Sequence, residues 1–304
     1  MQNIIAVIWD FDKTLISGYM QSPIFQDYHI EEAEFWKEVN SMPEKYLKEG
    51  IKVNPDTAYL IQFARYARDG RFKGLSNEKL REYGKRQCFY PGIPEFMAYT
   101  KQMFKGDKDC QEYNIRVEHY IVSTGFAEVI RGSSIADYVD GIWGCEMIEG
   151  VGIEGEQVIS EIAYVIDNTT KTRAIFEINK GINKATNPGI TVNTKMSDEQ
   201  RRVDFRNMIY IADGPSDVPV FSLLNKFKGS TFAIYPKGDV KAFRQVKTLS
   251  EEGRVNMFAE ADYSENTTAF MWITEKIKEC AERIKQAELN KRAIVNVGPK
   301  HIVD

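Results

Sequence analysis

The sequence predicts an α/β fold: a doubly wound, mainly parallel sheet with a helical segment inserted after its first strand. Three observations carry this. Short apolar runs rich in branched residues recur at 4–9, 119–122, 208–212 and 232–235, and stretches with helical spacing separate them. Strands alternating with helices build a parallel sheet. The first three runs end in carboxylates or hydroxyls, at Asp10 and Asp12, at Ser123 and Thr124, and at Asp213. In an open α/β sheet, ligands sit outside the carboxyl ends of the strands.

In chain order, residues 4–9 read as a strand buried on both faces. Two carboxylates follow directly, and buried charge requires a partner, hydrogen bonds or a metal. Gly18 is suited to a hinge. From 19 to 89 the composition shifts to charged and aromatic helical patterns, at 30–39, 57–68 and 76–86. Ser76 marks a capped start, and Asn54-Pro55-Asp56 another. No alternating strand stands out there, so 19–89 is expected to be a helical cap, smaller than an average domain. Residues 1–18 and 90–304 are expected to form the α/β core.

Tyr90-Pro91-Gly92-Ile93-Pro94-Glu95 is turn chemistry leading into a helix towards Phe104, with Pro94 at an early position. Residues 105–114 form a polar loop. The second strand, 119–125, is followed by a helix over 126–135 and by short strands and hairpins over 141–165. A helix opens at Thr169-Thr170-Lys171 and ends at Gly181. Residues 182–204 are polar and irregular, with a turn at Asn187-Pro188-Gly189. The third strand covers 208–212 and leads into Asp213-Gly214. The fourth covers 232–235, and a long helix fills 268–289, with Phe270, Ile273, Ile277 and Ile284 at helical spacing. There is no internal repeat and no low-complexity segment.

Composition narrows the function. The 304 residues are 43% hydrophobic and 28% charged, the balance of an ordinary globular protein with a sizeable core. A formal net charge of -4 gives no general basic surface for nucleic acid. Cys88, Cys110, Cys145 and Cys280 form no CxxC pair and no zinc spacing, so reduced thiols in a cytoplasm are expected. Asp10 and Asp12 interrupt the only candidate signal segment, and no apolar run is long enough for a membrane span. The glycosylation patterns at Asn168 and Asn266 then read as chance matches.

The chemistry gathers at the strand ends. If the strands are parallel neighbours, Asp10, Asp12, Ser123, Thr124 and Asp213 converge at one sheet edge. Asp217 follows on the next loop, and Lys171 sits at a helix start. Crowded carboxylates repel without a cation. A hard divalent ion such as Mg²⁺ relieves that, taking carboxylates, waters and phosphate oxygens. A lysine and hydroxyls beside it suit a phosphoryl group.

Each feature has an ordinary reading when taken singly. An Asp-x-Asp pair often makes a turn, Ser123 and Thr124 can cap a helix, and a lone lysine is usually solvated. Lys180 and Lys184 compete with Lys171 by proximity. The ordered set is the specific signal. His29, His119 and His301 are scattered and support neither a metal triad nor a catalytic base. Phe35, Trp36, Tyr59, Phe63 and Tyr66 recur at helical spacing and read as packing. Arg86 could meet a substrate carboxylate or lie on the surface.

Asp10-Phe11-Asp12-Lys13-Thr14 resembles the DxDxT signature of the haloacid dehalogenase superfamily. Ser123, Lys171 and Asp213-Gly214-Pro215-Ser216-Asp217 resemble its second, third and fourth motifs, in family order and across most of the chain. Val122-Ser123-Thr124-Gly125-Phe126 is similar to the VSGGF run of the phosphoserine phosphatase-like branch, which carries a cap after the first strand. The chain departs from the pattern at Ala212 and Thr124, where the family usually has glycine, and at Pro215, which stiffens the loop.

The resemblance implies a phosphomonoester hydrolase acting on a small phosphorylated metabolite. Asp10 would be the nucleophile and Asp12 the general acid and then base. Ser123, Thr124 and Lys171 would bind phosphate. Asp10, the Asp12 carbonyl, Asp213 and Asp217 would hold Mg²⁺, with Asp217 either a ligand or an orienting group. The alternatives are a phosphotransferase or mutase, and a catalytically silent binding protein. Asp12 and Asp213 count against metal-free dehalogenation. The substrate and the oligomeric state are not legible.

Overall fold

The computed structural model describes residues 3–182, 184 and 189–296. Among them run strands β1 (Ile4–Trp9), β2 (Arg116–Phe126), β3 (Gly141–Val151), β4 (Gln157–Tyr164), β5 (Met208–Ala212), β6 (Ser230–Tyr235) and β7 (Met257–Glu260). They form one seven-stranded sheet in the order β4-β3-β2-β1-β5-β6-β7. All neighbours are parallel except the β3–β4 hairpin. The doubly wound parallel sheet expected from the strand and helix alternation is therefore present.

Every residue of β1 is buried, as its unbroken apolar run requires of a central strand. Trp9 pairs with Ile121 of β2 and with Ile211 of β5. β2 runs on past Ile121 to Phe126, with an irregular register after Val122, so this stretch and the turns after β1 and β5 share one edge. From β1 the chain builds outward through β2, β3 and β4 on one side, then crosses back to β5 on the other. That makes the junction of the two sides the switch point where a ligand crevice opens.

Helices α1 (Ser22–Asp27), α2 (Glu32–Leu47), α3 (Ala58–Arg68) and α4 (Asn77–Gly84) lie between β1 and α5 (Glu95–Gln102). Then follow α6 (Lys108–Glu112), α7 (Ala127–Gly132), α8 (Thr170–Lys180), α9 (Val218–Lys226), α10 (Val240–Glu251) and α11 (Thr268–Asn296). Ser76 caps α4 by accepting the Lys79 amide at 3.1 Å. Gly181 ends α8 in the left-handed region, at φ 73°.

Some elements differ from the sequence pattern. α2 continues past residue 39 to Leu47, through Pro43. α6 occupies the expected polar loop, where Asp107 accepts the Cys110 amide at 2.9 Å and Cys110 is buried. α7 stops at Gly132 rather than 135, where Ser133 turns extended at ψ 164°, and its last turn packs closely. A Cβ on Gly132 would stand 1.9 Å from the Arg81 carbonyl oxygen, and one on Gly84 would stand 2.2 Å from that of Val129. The backbones of α4 and α7 touch, which only glycine permits. The expected turn at 187–188 lies outside the described residues.

The inserted helices share a core of rings. Phe63 stacks on Phe72 at 4.9 Å and meets Phe126, at the end of β2, at 5.0 Å. The β3–β4 hairpin runs alongside, and its Ile159 amide bonds the Leu75 carbonyl at 2.8 Å. The aromatic rings of the insertion pack on one another, as their spacing indicates.

His119, inside β2, is fully buried. Its Nδ1 accepts the Trp9 indole N–H at 3.0 Å, and its Nε2 lies 2.8 Å from the Thr100 hydroxyl. An imidazolium has no lone pair for Trp9, so the site demands the neutral ring. Burial pulls its pKa down to about 3, with the nearby Lys101 charge adding to the effect. The folded pKa lies below the unfolded one, so the unfolded chain binds the extra proton. The His119 contribution is complete above the unfolded pKa of about 6.5 and declines by up to ~1.4 kcal/mol per pH unit as the solution is acidified below it. NMR of the imidazole should show no titration of His119 down to pH 5, and denaturation should show stability falling over that range. A ring that charges near pH 6 would contradict this.

Candidate active site

The turn after β1 is held from several sides. The Asp10 amide donates to the Ile211 carbonyl at 2.9 Å, which ties it to β5. The Phe11 carbonyl accepts the Thr14 and Leu15 amides at 3.2 and 2.9 Å. Lys13 turns the chain through a positive φ of 56°. The Thr14 hydroxyl donates to Asp10 Oδ2 at 3.1 Å, and the Tyr263 hydroxyl donates to the Thr14 carbonyl at 2.7 Å. Asp12 faces another way, and its Oδ1 accepts the Met20 amide at 2.9 Å.

Lys171 reaches this turn from the start of α8. Its Nζ lies 2.8 Å from Asp10 Oδ1 and 2.6 Å from Asp217 Oδ1, and the residue is 1% exposed. Asp217 also accepts the Tyr210 hydroxyl, and the Ser216 hydroxyl at 2.8 Å. Oxygens of Asp10, Asp213 and Asp217 all lie within 4.8 Å of one another. Lys180 bonds the carbonyls of Val192 and Thr194, and Lys184 bonds that of Asp140. Lys171 is the lysine placed at the carboxylates.

Burial raises the pKa of Asp10 against the pull of the Lys171 ammonium. Asp213 is raised by burial and then by the charges of Asp10 and Asp217. Asp12 is pushed up to about 8, first by burial and next by the charge of Asp10. A carboxyl so placed holds a proton near neutral pH, the state a general acid needs. For Lys171, burial acts to lower the pKa, but Asp10 and Asp217 outweigh it and keep the group firmly cationic. One ammonium against several gathered carboxylates leaves negative charge uncompensated. Hard oxygen donors in that arrangement fit a divalent ion such as Mg²⁺.

The β1–β2 register places Ser123 beside the Asp10 turn. Its Oγ accepts the Gly125 amide at 3.0 Å. The Thr124 carbonyl accepts the Tyr59 hydroxyl at 2.5 Å and the Cys145 thiol at 3.3 Å. Met20 joins the two turns, since its sulfur accepts the Phe126 amide at 3.1 Å. A Cβ on Gly125 would stand 2.3 Å from the Met20 methyl, so Met20 packs directly on this glycine. Arg86 is paired with Asp27 and lies over the Tyr83 ring, both in the insertion, rather than at the carboxylates.

Sequence reasoning did not assign Thr14, Met20, Tyr210 or Tyr59 to the site. Thr14 had a signal, its place in the quoted signature. The others look like ordinary strand or helix residues until the fold brings them together.

Comparison with known proteins agrees with the fold. The chain has the fold of haloacid dehalogenase hydrolases. It superposes with a TM-score of 0.51 on a structure described as a haloacid dehalogenase family hydrolase of Salmonella enterica serovar Typhi, at 13% identity over 84% of this chain and 67% of that one. A probable phosphoserine phosphatase of Vibrio cholerae also gives 0.51, at 12% identity over 93% and 67%. The chain belongs to one family with an uncharacterized protein of Borreliella burgdorferi, to which it is 36% identical over 290 residues, 91% of this chain and 97% of that one. No protein-family model matches the chain.

Replacing Lys171 with Met would leave Asp10 and Asp217 facing each other in a buried site. Breaking a buried pair costs about 3–5 kcal/mol. Chemical denaturation in the presence of a chelator should show a loss of that order. The double variant Lys171→Met/Asp217→Asn should recover part of it. Unchanged stability in the single variant would mean that the ammonium does not neutralise this cluster.

Proposed function

We propose that the protein is a Mg²⁺-dependent phosphatase that hydrolyses a small phosphomonoester through an aspartyl-phosphate on Asp10. The observation that carries this is the division of the two carboxyls on one turn. Asp10 is bonded to Lys171 and Thr14, while Asp12 turns away onto the Met20 amide.

In the first step an Asp10 oxygen attacks phosphorus and the ester oxygen leaves, taking a proton from Asp12. In the second step Asp12 takes a proton from water, and that water attacks the phosphorus of the aspartyl-phosphate. Inorganic phosphate departs and both carboxyls return to their starting states. Splitting a slow hydrolysis into two displacements lowers each barrier. Ser123, Thr124 and Lys171 would bind the phosphoryl oxygens, with the Gly125 amide bonded to Ser123 Oγ on the same turn. Asp10, Asp213 and the Asp12 carbonyl would hold Mg²⁺, whose charge would stabilise the transferring phosphoryl group. The Asp217 oxygens already accept from Lys171, Tyr210 and Ser216, which suits an orienting role. Helices α1–α4 would act as the cap that closes over the substrate and selects it. A cytoplasmic location fits the four free cysteines and a chain in which no described helix could cross a membrane.

Purified protein should release phosphate from p-nitrophenyl phosphate, and faster from some members of a phosphometabolite panel, only when Mg²⁺ is present. Asp10→Asn should lower turnover on the order of 10⁴-fold while remaining folded. Folded wild-type protein without metal-dependent turnover on any panel member would overturn the proposal.

Mg²⁺ should also raise the unfolding temperature. Saturation at a hundred times the dissociation constant corresponds to about 2.7 kcal/mol of stabilisation. Asp213→Asn should abolish most of that shift, and an equal shift in this variant would place the ion elsewhere.

A further inference from the structure

Tyr59 reaches the candidate site from outside it. It stands on the first turn of α3, in the insertion, and is 5% exposed. Its ring packs against Phe126 and Phe63, with centroids 5.7 and 6.1 Å away. Packing accounts for the ring but not for the hydroxyl, which donates to the Thr124 carbonyl at 2.5 Å. That carbonyl belongs to the residue after Ser123.

The peptide geometry carries the effect onward. The Thr124–Gly125 peptide is planar and trans, so its N–H points opposite to its C=O. Pinning the Thr124 oxygen therefore sets the direction of the Gly125 N–H. That N–H donates to Ser123 Oγ at 3.0 Å, which sets the serine rotamer in turn. The Cys145 thiol holds the same carbonyl at 3.3 Å, and its sulfur accepts the Ile166 amide at 3.4 Å.

Ile166 leads into Asp167, whose Oδ1 accepts the Thr170 amide at 2.7 Å at the head of the helix bearing Lys171. A second contact from the insertion arrives here too, since the Asn54 amide donates to Asp167 Oδ2 at 3.0 Å. The insertion therefore touches both elements that carry the expected phosphate-binding groups.

We propose that Tyr59 is a positioning residue for the phosphate-binding turn. Its hydroxyl pins the Thr124 carbonyl and thereby aims the Gly125 N–H and the Ser123 hydroxyl. This rests on the phosphatase reading above and adds a coupling to it. The turn is set for phosphate when the inserted helices are closed on the core, and lifting α3 away releases the Thr124 carbonyl.

Tyr59→Phe keeps the ring and removes only the donor. With Mg²⁺ present, calorimetric titration with inorganic phosphate should show binding weakened roughly 3- to 10-fold, the range commanded by one neutral hydrogen bond. The kcat for p-nitrophenyl phosphate should fall by a similar factor, while the unfolding temperature moves by only a few degrees. Tyr66→Phe removes another hydroxyl of α3, the one bonded to Glu38, and should leave phosphate affinity unchanged. Cys145→Val removes the second donor to Thr124 and should weaken phosphate in the same direction, which provides the test if Tyr59→Phe does not fold. Phosphate affinity and kcat at wild-type values in Tyr59→Phe, or in Cys145→Val if that variant must serve, would overturn this inference and leave the phosphatase reading standing. Wild-type protein that neither binds phosphate nor turns over phosphomonoesters would overturn both.

Discussion

The arrangement depends on one buried ammonium. Lys171 lies between Asp10 and Asp217, with almost no exposure to water. Each of the three charges would be costly alone in that place. Together they hold three separate pieces of chain, the turn after β1, the head of α8 and the loop after β5. Ser216 and Thr14 satisfy the second oxygens of Asp217 and Asp10, and Tyr210 shares Asp217 Oδ1 with Lys171. The network is buried and well bonded, the condition under which polar groups define geometry rather than merely cost stability.

The sheet makes this convergence possible. β1 is paired on both sides, and its last residue is level with Ile121 and Ile211. The turns after β1 and β5 therefore emerge at one height, and residues 10, 123 and 213 become neighbours although they are far apart in sequence. The glycine contacts between α4 and α7 join the last helix of the insertion to the helix that follows β2. The stretch of β2 beyond Ile121 therefore faces the turn after β1, with the insertion packed beside both.

Much of this was legible in the sequence, and the pattern of what was not is instructive. The strands at 4–9, 208–212 and 232–235 are continuous apolar runs, the signature of strands buried on both faces, and they fall close to where the structure places them. Asp10 and Asp213 stand out because charge directly after such a run demands a reason, and Asp217 through its place in the fourth-motif resemblance. Lys171 could not be separated from Lys180 and Lys184 by spacing. Only the fold shows that the latter two reach main-chain carbonyls elsewhere. β7 is four residues long and α6 only five, too short for periodicity to register. Tyr59 was hidden for another reason. Its ring obeys the helical packing pattern, and pattern reading stops at the ring, whereas its hydroxyl has a partner 65 residues away.

The separation of Asp10 from Asp12 follows from local chain geometry. Two residues apart on an extended strand, their side chains would share one face. The chain does not remain extended. Phe11 accepts the Thr14 and Leu15 amides, and Lys13 takes a positive φ, so the backbone coils immediately after Asp12. Asp10 then meets the ammonium of Lys171, while Asp12 meets a neutral amide and the field of Asp10. An opposite charge favours the ionised carboxyl, and a like charge with burial favours the protonated one. Burial raises both carboxyls, Asp10 to about 6 against the pull of Lys171 and Asp12 further, to about 8, with the charge of Asp10 adding to the effect. The nucleophile and proton-donor roles proposed for Asp10 and Asp12 need that difference.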